Sequence, residues 1–464
     1  MLQFPMLFNT YEFIFFFLAP LILVVYLLNP KYTLPTIILA SVIFYANWDL
    51  LHLALLLASI VLNYTISYFI QNSIQKKLLL ILGVVLNISV LIYFKYSVFL
   101  SISTHDLILP LAISFYTFQQ IAYLYDVYKQ QIFDISFQNY LFFVLFFPQL
   151  IAGPIVHYNQ LIPQIKNITI NTTYFLAGFV VFTIGLSKKI LLADNLSPIA
   201  NQGFTLVQHS TIGSLDAILA LLAYSFQIYF DFSGYSDMAI GLALIFGIVL
   251  PINFNSPYKA ISIIDFWRRW HITLSNFLKD HIYIPLGGNR LSKYNTTLNL
   301  LITMTIGGIW HGSGWGFLLW GLAHGILLVI THAAPKTLGY LSFKPLLITL
   351  TFTLVTLLWV LFRSPTLEVA TTYYGIIFSF DIAQLQNIIT ILSQGIYYNI
   401  FTDNRIFLLL LSTVLIWFIP FNSNKFISLK KPKPFIIILT TLLFITCMKS
   451  IATTPANTFL YFNF

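Results

Sequence analysis

Charge is the scarcest thing in this chain of 464 residues: aspartate, glutamate, lysine and arginine together make up 8% of it. A soluble globular domain carries about a quarter. With 58% hydrophobic residues and a mean hydropathy of +0.86, a water-exposed fold is excluded. Cysteine is almost missing too. Cys447 stands alone in an apolar run, which excludes a disulfide framework and any paired-cysteine metal or redox motif. There is no Gly/Ser linker, low-complexity tract or internal repeat. The first apolar run, from about residue 13 to 28, lacks a basic leader and a small-residue cleavage site, so it reads as a retained span.

What is present is apolar length. Each membrane span needs about 20 residues. The chain therefore reads as an all-α, polytopic integral membrane protein of about 11–14 transmembrane or re-entrant helices in one embedded domain. Its motifs concentrate in residues 110–325, and further apolar helices follow over 340–464. Apolar runs at 174–190, 214–230, 236–252, 296–312 and 315–333 frame those motifs.

The formal charge of +9 arises from small basic clusters between apolar runs, the pattern of cytoplasmic loops rather than of a nucleic-acid surface. With Lys31, Lys76 and Lys77, Lys188 and Lys189, the 259–293 loop, Lys336 and Lys425 to Lys433 all cytoplasmic, the spans alternate and both termini face outward. Residues 364–404, with Glu368, Asp381 and Asp403, then form an outward segment, read either as a partner-facing loop or as two short embedded helices.

Ionisable residues in such a background are costly and usually kept for a task. Residues 263–279 place Ile263, Phe266, Trp267, Trp270, Leu274, Phe277 and Leu278 on one face of a helix, with Arg268, His271 and Ser275 on another. That pattern suits a membrane-surface anchor, although an anchor has no need of an imidazole beside two guanidinium groups. Pro285, Gly287 and Gly288 break the helix before Arg290, giving either an ordinary turn or a backbone cradle for a phosphate.

His311 lies between small residues in GGIWHG (Gly307 to Gly312). A neutral imidazole there can accept a proton from a hydroxyl, or serve as a hydrogen-bonded core residue. His324 reads as structural. Asp231 and Asp237 stand between apolar spans with no lysine or arginine from Asn195 through Asn255. Asp237 fits an N-cap; Asp231 must find a distant base, for which Arg268 and Arg269 are candidates. Phe147 to His157 is a broken-helix segment whose histidine faces a cavity or the membrane interface. No His, Cys or Asp group shows ligand spacing, so no metal is expected.

Taken together, FPQLIAGPIVHY (Phe147 to Tyr158), SKKILLADNL (Ser187 to Leu196), FQIYFDFSGYSDMAIGLAL (Phe226 to Leu244), NFNSPY (Asn253 to Tyr258), DFWRRWHITLSNFLKDHIYIPLGGNR (Asp265 to Arg290) and GGIWHG resemble the membrane-bound O-acyltransferase superfamily, in its bacterial polysaccharide O-acetyltransferase branch. The resemblance implies a helical fold with a central funnel or tunnel. It also implies a cytoplasmic thioester donor, acetyl-CoA, with no permanently bound cofactor. The acceptor it implies is a cell-envelope polysaccharide, with the protein in a bacterial inner (cytoplasmic) membrane; compact length without large insertions puts peptidoglycan ahead of an alginate-like polymer.

Because no hydrolase-like domain is fused to the chain, a separate extracytoplasmic acetyltransferase or acyl-carrier partner is expected. His311 matches the family's catalytic histidine and His271 its second characteristic one. Asp231, Arg268, Arg269, Arg290 and Trp310 are assigned to substrate and cofactor binding. D-alanyl transfer to teichoic acid-type acceptors and non-enzymatic transport are the alternatives. Inverted repeats, the mark of many transporters, are not visible.

Overall fold

The computed structural model describes residues 6–102, 108–151, 153–165, 168, 170–209, 212–333, 343–379, 405–419, 427, 432–453 and 459–460. Lys336, Lys425, Asp381 and Asp403 lie outside the described residues. Those described are helical or irregular, with no strand among them, as an apolar chain requires when every backbone polar group must be satisfied locally. Seven helices among them are long and apolar enough to cross a membrane: Leu50–Asn72, Lys76–Tyr96, Thr172–Gln208, Ser214–Ile245, Trp315–Ala333, Lys344–Arg363 and Pro434–Thr453.

The chain forms two compact units. The first comprises Met1–Ser187, Gly234–Ile252 and Ser423–Asn463. Its helices Leu50–Asn72, Lys76–Tyr96 and Ile113–Tyr128 are tied by buried amides, in which Asn63 and Asn87 bond each other and Asn63 also donates to Gln120. Such interhelical amide bonds hold bundles where hydrophobicity cannot, since lipid is as apolar as a leucine core. A Cβ at Gly178 would strike the Gly241 carbonyl, so glycine there lets two helices touch.

The broken segment is as expected. Helix Phe137–Leu145 gives way to the single turn Phe147–Leu150 and then to irregular backbone. The Phe147 amide, released from the helix pattern, donates to Ser41 Oγ at 3.2 Å. His157 is oriented by Asp126, Nδ1 to Oδ2 3.2 Å, with its side chain partly exposed.

The second unit comprises Lys188–Ser233, Asn253–Asn422 and Phe464. Helices Lys293–His311 and Trp315–Ala333 form a tight hairpin, and Lys344–Arg363 packs on the second of them. A Cβ at Gly308 would collide with the Phe317 carbonyl and with Gly321, so this crossing admits no larger residue. Buried hydrogen bonds run from Trp359 Nε1 to the Tyr258 hydroxyl (3.3 Å) and from that hydroxyl to the Ser225 carbonyl (2.7 Å).

Three sequence expectations are corrected here. The runs 214–230 and 236–252 are not two spans; residues Ser214–Ile245 form one helix, so Asp237 is an interior residue and not an N-cap. Losing that crossing also breaks the strict alternation that placed all the basic clusters on one side. Lys188 and Lys189 are not in a loop: they open a π-helical stretch, Lys188–Ala193, inside the continuous run Thr172–Gln208, and each is 2% exposed. Residues 263–279 do not form one surface helix. They form Ile263–Trp267 and Ile272–Leu278, separated at His271, whose φ of 42° is left-handed. The apolar stripe is present but faces protein, with Trp270 at 0% and Leu274 at 1% exposure.

Candidate active site

His311 occupies the last turn of Lys293–His311 and is buried. Aromatic rings enclose it. Trp310 lies 4.9 Å away, Trp320 5.1 Å and Phe362 5.2 Å, centroid to centroid. Trp310 also reaches His271, at 6.1 Å, so the two histidines and the tryptophan singled out from sequence belong to one cluster.

His271 is fixed by a residue that sequence reading did not connect with it. Asn253 Oδ1 lies 3.2 Å from His271 Nδ1 and accepts from both the Thr273 amide (3.2 Å) and the Thr273 hydroxyl (2.9 Å). The Thr273 amide can only donate, which identifies that Asn253 atom as oxygen. An oxygen cannot donate in turn, so His271 carries its proton on Nδ1 and presents Nε2 as an acceptor. That Nε2 is buried without a hydrogen-bond partner among the described residues. Complete burial pushes the His271 pKa down to about 3, so the ring is neutral at physiological pH.

Beside this cluster lies a cavity of about 450 Å³, lined by Trp267, Arg268, Lys279, Gly288, Arg290 and Met304 among others, with no carboxylate in its wall. Arg268 and Arg290 have no ion pair among the described residues; Lys279 Nζ stands 3.4 Å from Asp280. Cations without a matching acid in a pocket wall form a site for an anion, best a phosphate met by guanidinium groups.

The Gly287-Gly288 turn takes no direct part through its amides. These donate to the Ile284 and Tyr283 carbonyls, both at 2.9 Å, and Asn299 Nδ2 holds the Gly288 carbonyl at 3.0 Å. Both glycines have positive φ, 106° and 58°, so they shape the turn while the side chains face the cavity.

The remaining expected residues are placed otherwise. Arg269 is engaged outside the cavity wall: its Nε donates to Asp265 at 2.8 Å. Asp231 does find a distant base, but the base is Lys189, at 2.6 Å, and not Arg268 or Arg269. Asp194 completes that group at 2.8 Å from Lys189 Nζ.

The cavity and His311 share one helix. Met304 lines the cavity and His311 lies about two turns further on, ~10 Å along the axis. A second connection runs through side chains: Trp267, in the cavity wall, donates from Nε1 to His324 Nδ1 at 3.3 Å. His324 in turn lies 4.7 Å from Trp320. The arrangement can hold an anionic group in the cavity and present an acyl group of a linear donor to a buried imidazole.

The profile of the MBOAT, membrane-bound O-acyltransferase family, matches residues 40–337. Over 416 residues, 79% of each chain, the sequence is 45% identical to a peptidoglycan O-acetyltransferase of Helicobacter pylori. It is 42% identical to a probable alginate O-acetylase AlgI of Azotobacter vinelandii over 402 residues, 81% of this chain and 78% of that one. A teichoic acid D-alanyltransferase of Bacillus subtilis is more distant, 28% identical over 248 residues, 50% of this chain and 61% of that one. With a helical, multi-pass structure and a family match across most of its length, the chain belongs to the membrane-bound O-acyltransferase family and is an O-acyltransferase embedded in a membrane.

Proposed function

We propose that this chain transfers acetyl groups from a cytoplasmic thioester, acetyl-CoA, for O-acetylation of a cell-envelope polysaccharide, with peptidoglycan as the acceptor ahead of an alginate-like polymer. The observation that carries the proposal is the pairing of an acid-free cationic cavity with a buried histidine two helical turns away. Arg268 and Arg290, with Lys279 beside them, hold the donor's phosphates. The acyl arm follows the helix to His311, which accepts the proton of the attacking hydroxyl; Trp310 packs beside it, with His271 on the tryptophan, and the rings keep the site dry. His271 completes the catalytic pair through its acceptor nitrogen. Asp231, fixed by Lys189, is a supporting residue.

The basic cavity faces the cytoplasm of a bacterial inner membrane, as positively charged loops do. An extracytoplasmic acetyltransferase or acyl-carrier protein receives the group and delivers it to the polymer. The 45% identity to a peptidoglycan O-acetyltransferase supports peptidoglycan over D-alanyl transfer to a teichoic acid, whose relative matches at 28%.

The test is the acetyl-ester content of purified peptidoglycan and of secreted polysaccharide, comparing wild type with His311→Ala at matched expression. Loss of a general base costs roughly 10²–10⁴-fold in rate, so esters should vanish from the acceptor fraction. Loss from one fraction names the acceptor. Unchanged esters in both would remove the assignment and make transport the better reading, and D-alanine esters lost in their place would select the D-alanyl branch.

A further inference from the structure

Two buried N–H groups near His311 have no acceptor among the described residues. Trp320, 1% exposed, carries an indole donor, and its Nε1 has no hydrogen-bond partner among the described residues. His324, 0% exposed, can be assigned a tautomer. Its Nδ1 receives the Trp267 Nε1 proton at 3.3 Å, and an indole nitrogen can only donate. Nδ1 is therefore the unprotonated nitrogen and the ring proton is on Nε2. That Nε2–H likewise has no partner among the described residues.

The two rings that carry them are neighbours, and the Trp320 ring also adjoins the proposed base. Trp320 stands edge-on between the two imidazoles, 5.1 Å and 89° from His311, 4.7 Å and 70° from His324. His271 offers the contrast, since its orphan nitrogen is an acceptor. Unmet donors in a buried site cost free energy and are expected to be met by something that visits. In acyl transfer that visitor is the carbonyl oxygen, which gains negative charge only as the reaction proceeds.

We propose that Trp320 Nε1–H and His324 Nε2–H form the donor pair that receives the thioester carbonyl oxygen. The assignment rests on His311 being the base. As the acceptor hydroxyl oxygen bonds to the acyl carbon, its proton passes to His311 and the carbonyl π pair moves onto oxygen, between the two N–H groups. The C–S bond then breaks, the carbonyl re-forms, and the departing sulfur takes the proton from His311. An ester and a free thiol result, and the enzyme returns to its starting state. Trp267 acts here as a positioning residue, because its bond to Nδ1 is what keeps the His324 proton on Nε2.

The experiment uses the full-length chain carrying Trp320→Phe, His324→Phe, His324→Gln or His311→Ala. For each, the initial rate of polysaccharide ester formation, the thermal midpoint and the midpoint shift caused by acetyl-CoA are measured. Each Phe variant keeps a ring and loses a donor, and should fall roughly 10²–10³-fold in rate with the acetyl-CoA shift retained. His324→Gln, whose amide can both accept from Trp267 and donate, should recover part of the rate. Wild-type rates in both Phe variants, with His311→Ala inactive, would overturn the donor pair and leave the base in place. A fall in thermal midpoint that tracks the fall in rate, with no recovery in His324→Gln, would overturn it in favour of a packing role. Activity in His311→Ala would instead bring down the underlying reading of the base.

Discussion

His271 pairs a backbone cost with a side-chain gain. A left-handed conformation at a residue other than glycine is unfavourable and persists only where its surroundings hold it. Here Asn253 supplies the hold, through its oxygen and through its carbonyl, which accepts from the Ile272 amide at 2.9 Å. Burial lowers the His271 pKa to about 3, so the folded state binds no proton there while an unfolded chain titrates near 6.5. The resulting stability is fully present above pH ~6.5 and is lost as the pH falls from there towards 3. In detergent, His271→Gln should therefore flatten the decline of the thermal midpoint between pH 6.5 and 4; parallel wild-type and variant curves would show that His271 does not titrate on unfolding. The same neutral ring predicts that His271 does not set an acid limb of activity above pH 5. His271, His311 and Trp310 were legible in the sequence because polar and aromatic groups are conspicuous in an apolar chain. Asn253 and the Trp267–His324 bond were not, because each joins segments far apart in sequence and no spacing announces them.

At the scale of single elements, the Thr172–Gln208 run shows why the sequence misled. Two adjacent lysines between apolar stretches look like a cytoplasmic loop, since an isolated lysine cannot stay inside a membrane. Lys189 is not isolated: Asp194 approaches from its own helix and Asp231 from the helix Ser214–Ile245. The π-helical stretch Lys188–Ala193 is where the helix departs from regular winding, a common place for functional side chains. Removing the cation alone leaves two acids facing each other, so Lys189→Met should destabilise the fold by about 3–5 kcal/mol. Lys189→Met with Asp231→Leu should recover much of that, because an apolar pair of similar volume replaces a buried ion pair at little cost. Thermal midpoints of the two variants compare them directly, and a double variant no more stable than the single one would count against this account. The break at His271 was hidden for a related reason. Periodicity places a stripe on one face and is blind to a single left-handed residue that leaves the stripe buried on both sides of it.

At the scale of the whole molecule, the all-helical, membrane-embedded class followed from composition alone, whereas the number of crossings did not. Apolar runs count as spans only if the chain turns between them, and the polar residues Asp231 to Asp237 imitate a turn while lying inside one helix. The orientation must therefore rest on the second unit's own geometry. Its hairpin begins beside the cationic cavity, turns at Gly312 to Gly314 and returns through Trp315–Ala333, a helix of 19 residues that is apolar enough to cross a membrane. That helix is ~28 Å long, close to the ~30 Å of a bilayer's apolar core. Its two ends should open to opposite sides of the membrane. The chain makes the test simple, since its one cysteine, Cys447, is buried and can be replaced by alanine. In that background, Asn289→Cys and Ser313→Cys, both at exposed positions, should react with a membrane-impermeant maleimide from opposite faces, residue 289 from the cytoplasm. Labelling of both from one face would make the hairpin re-entrant. Donor and acceptor would then meet on the same side, and the acetyl group would have to cross the membrane by another part of the fold.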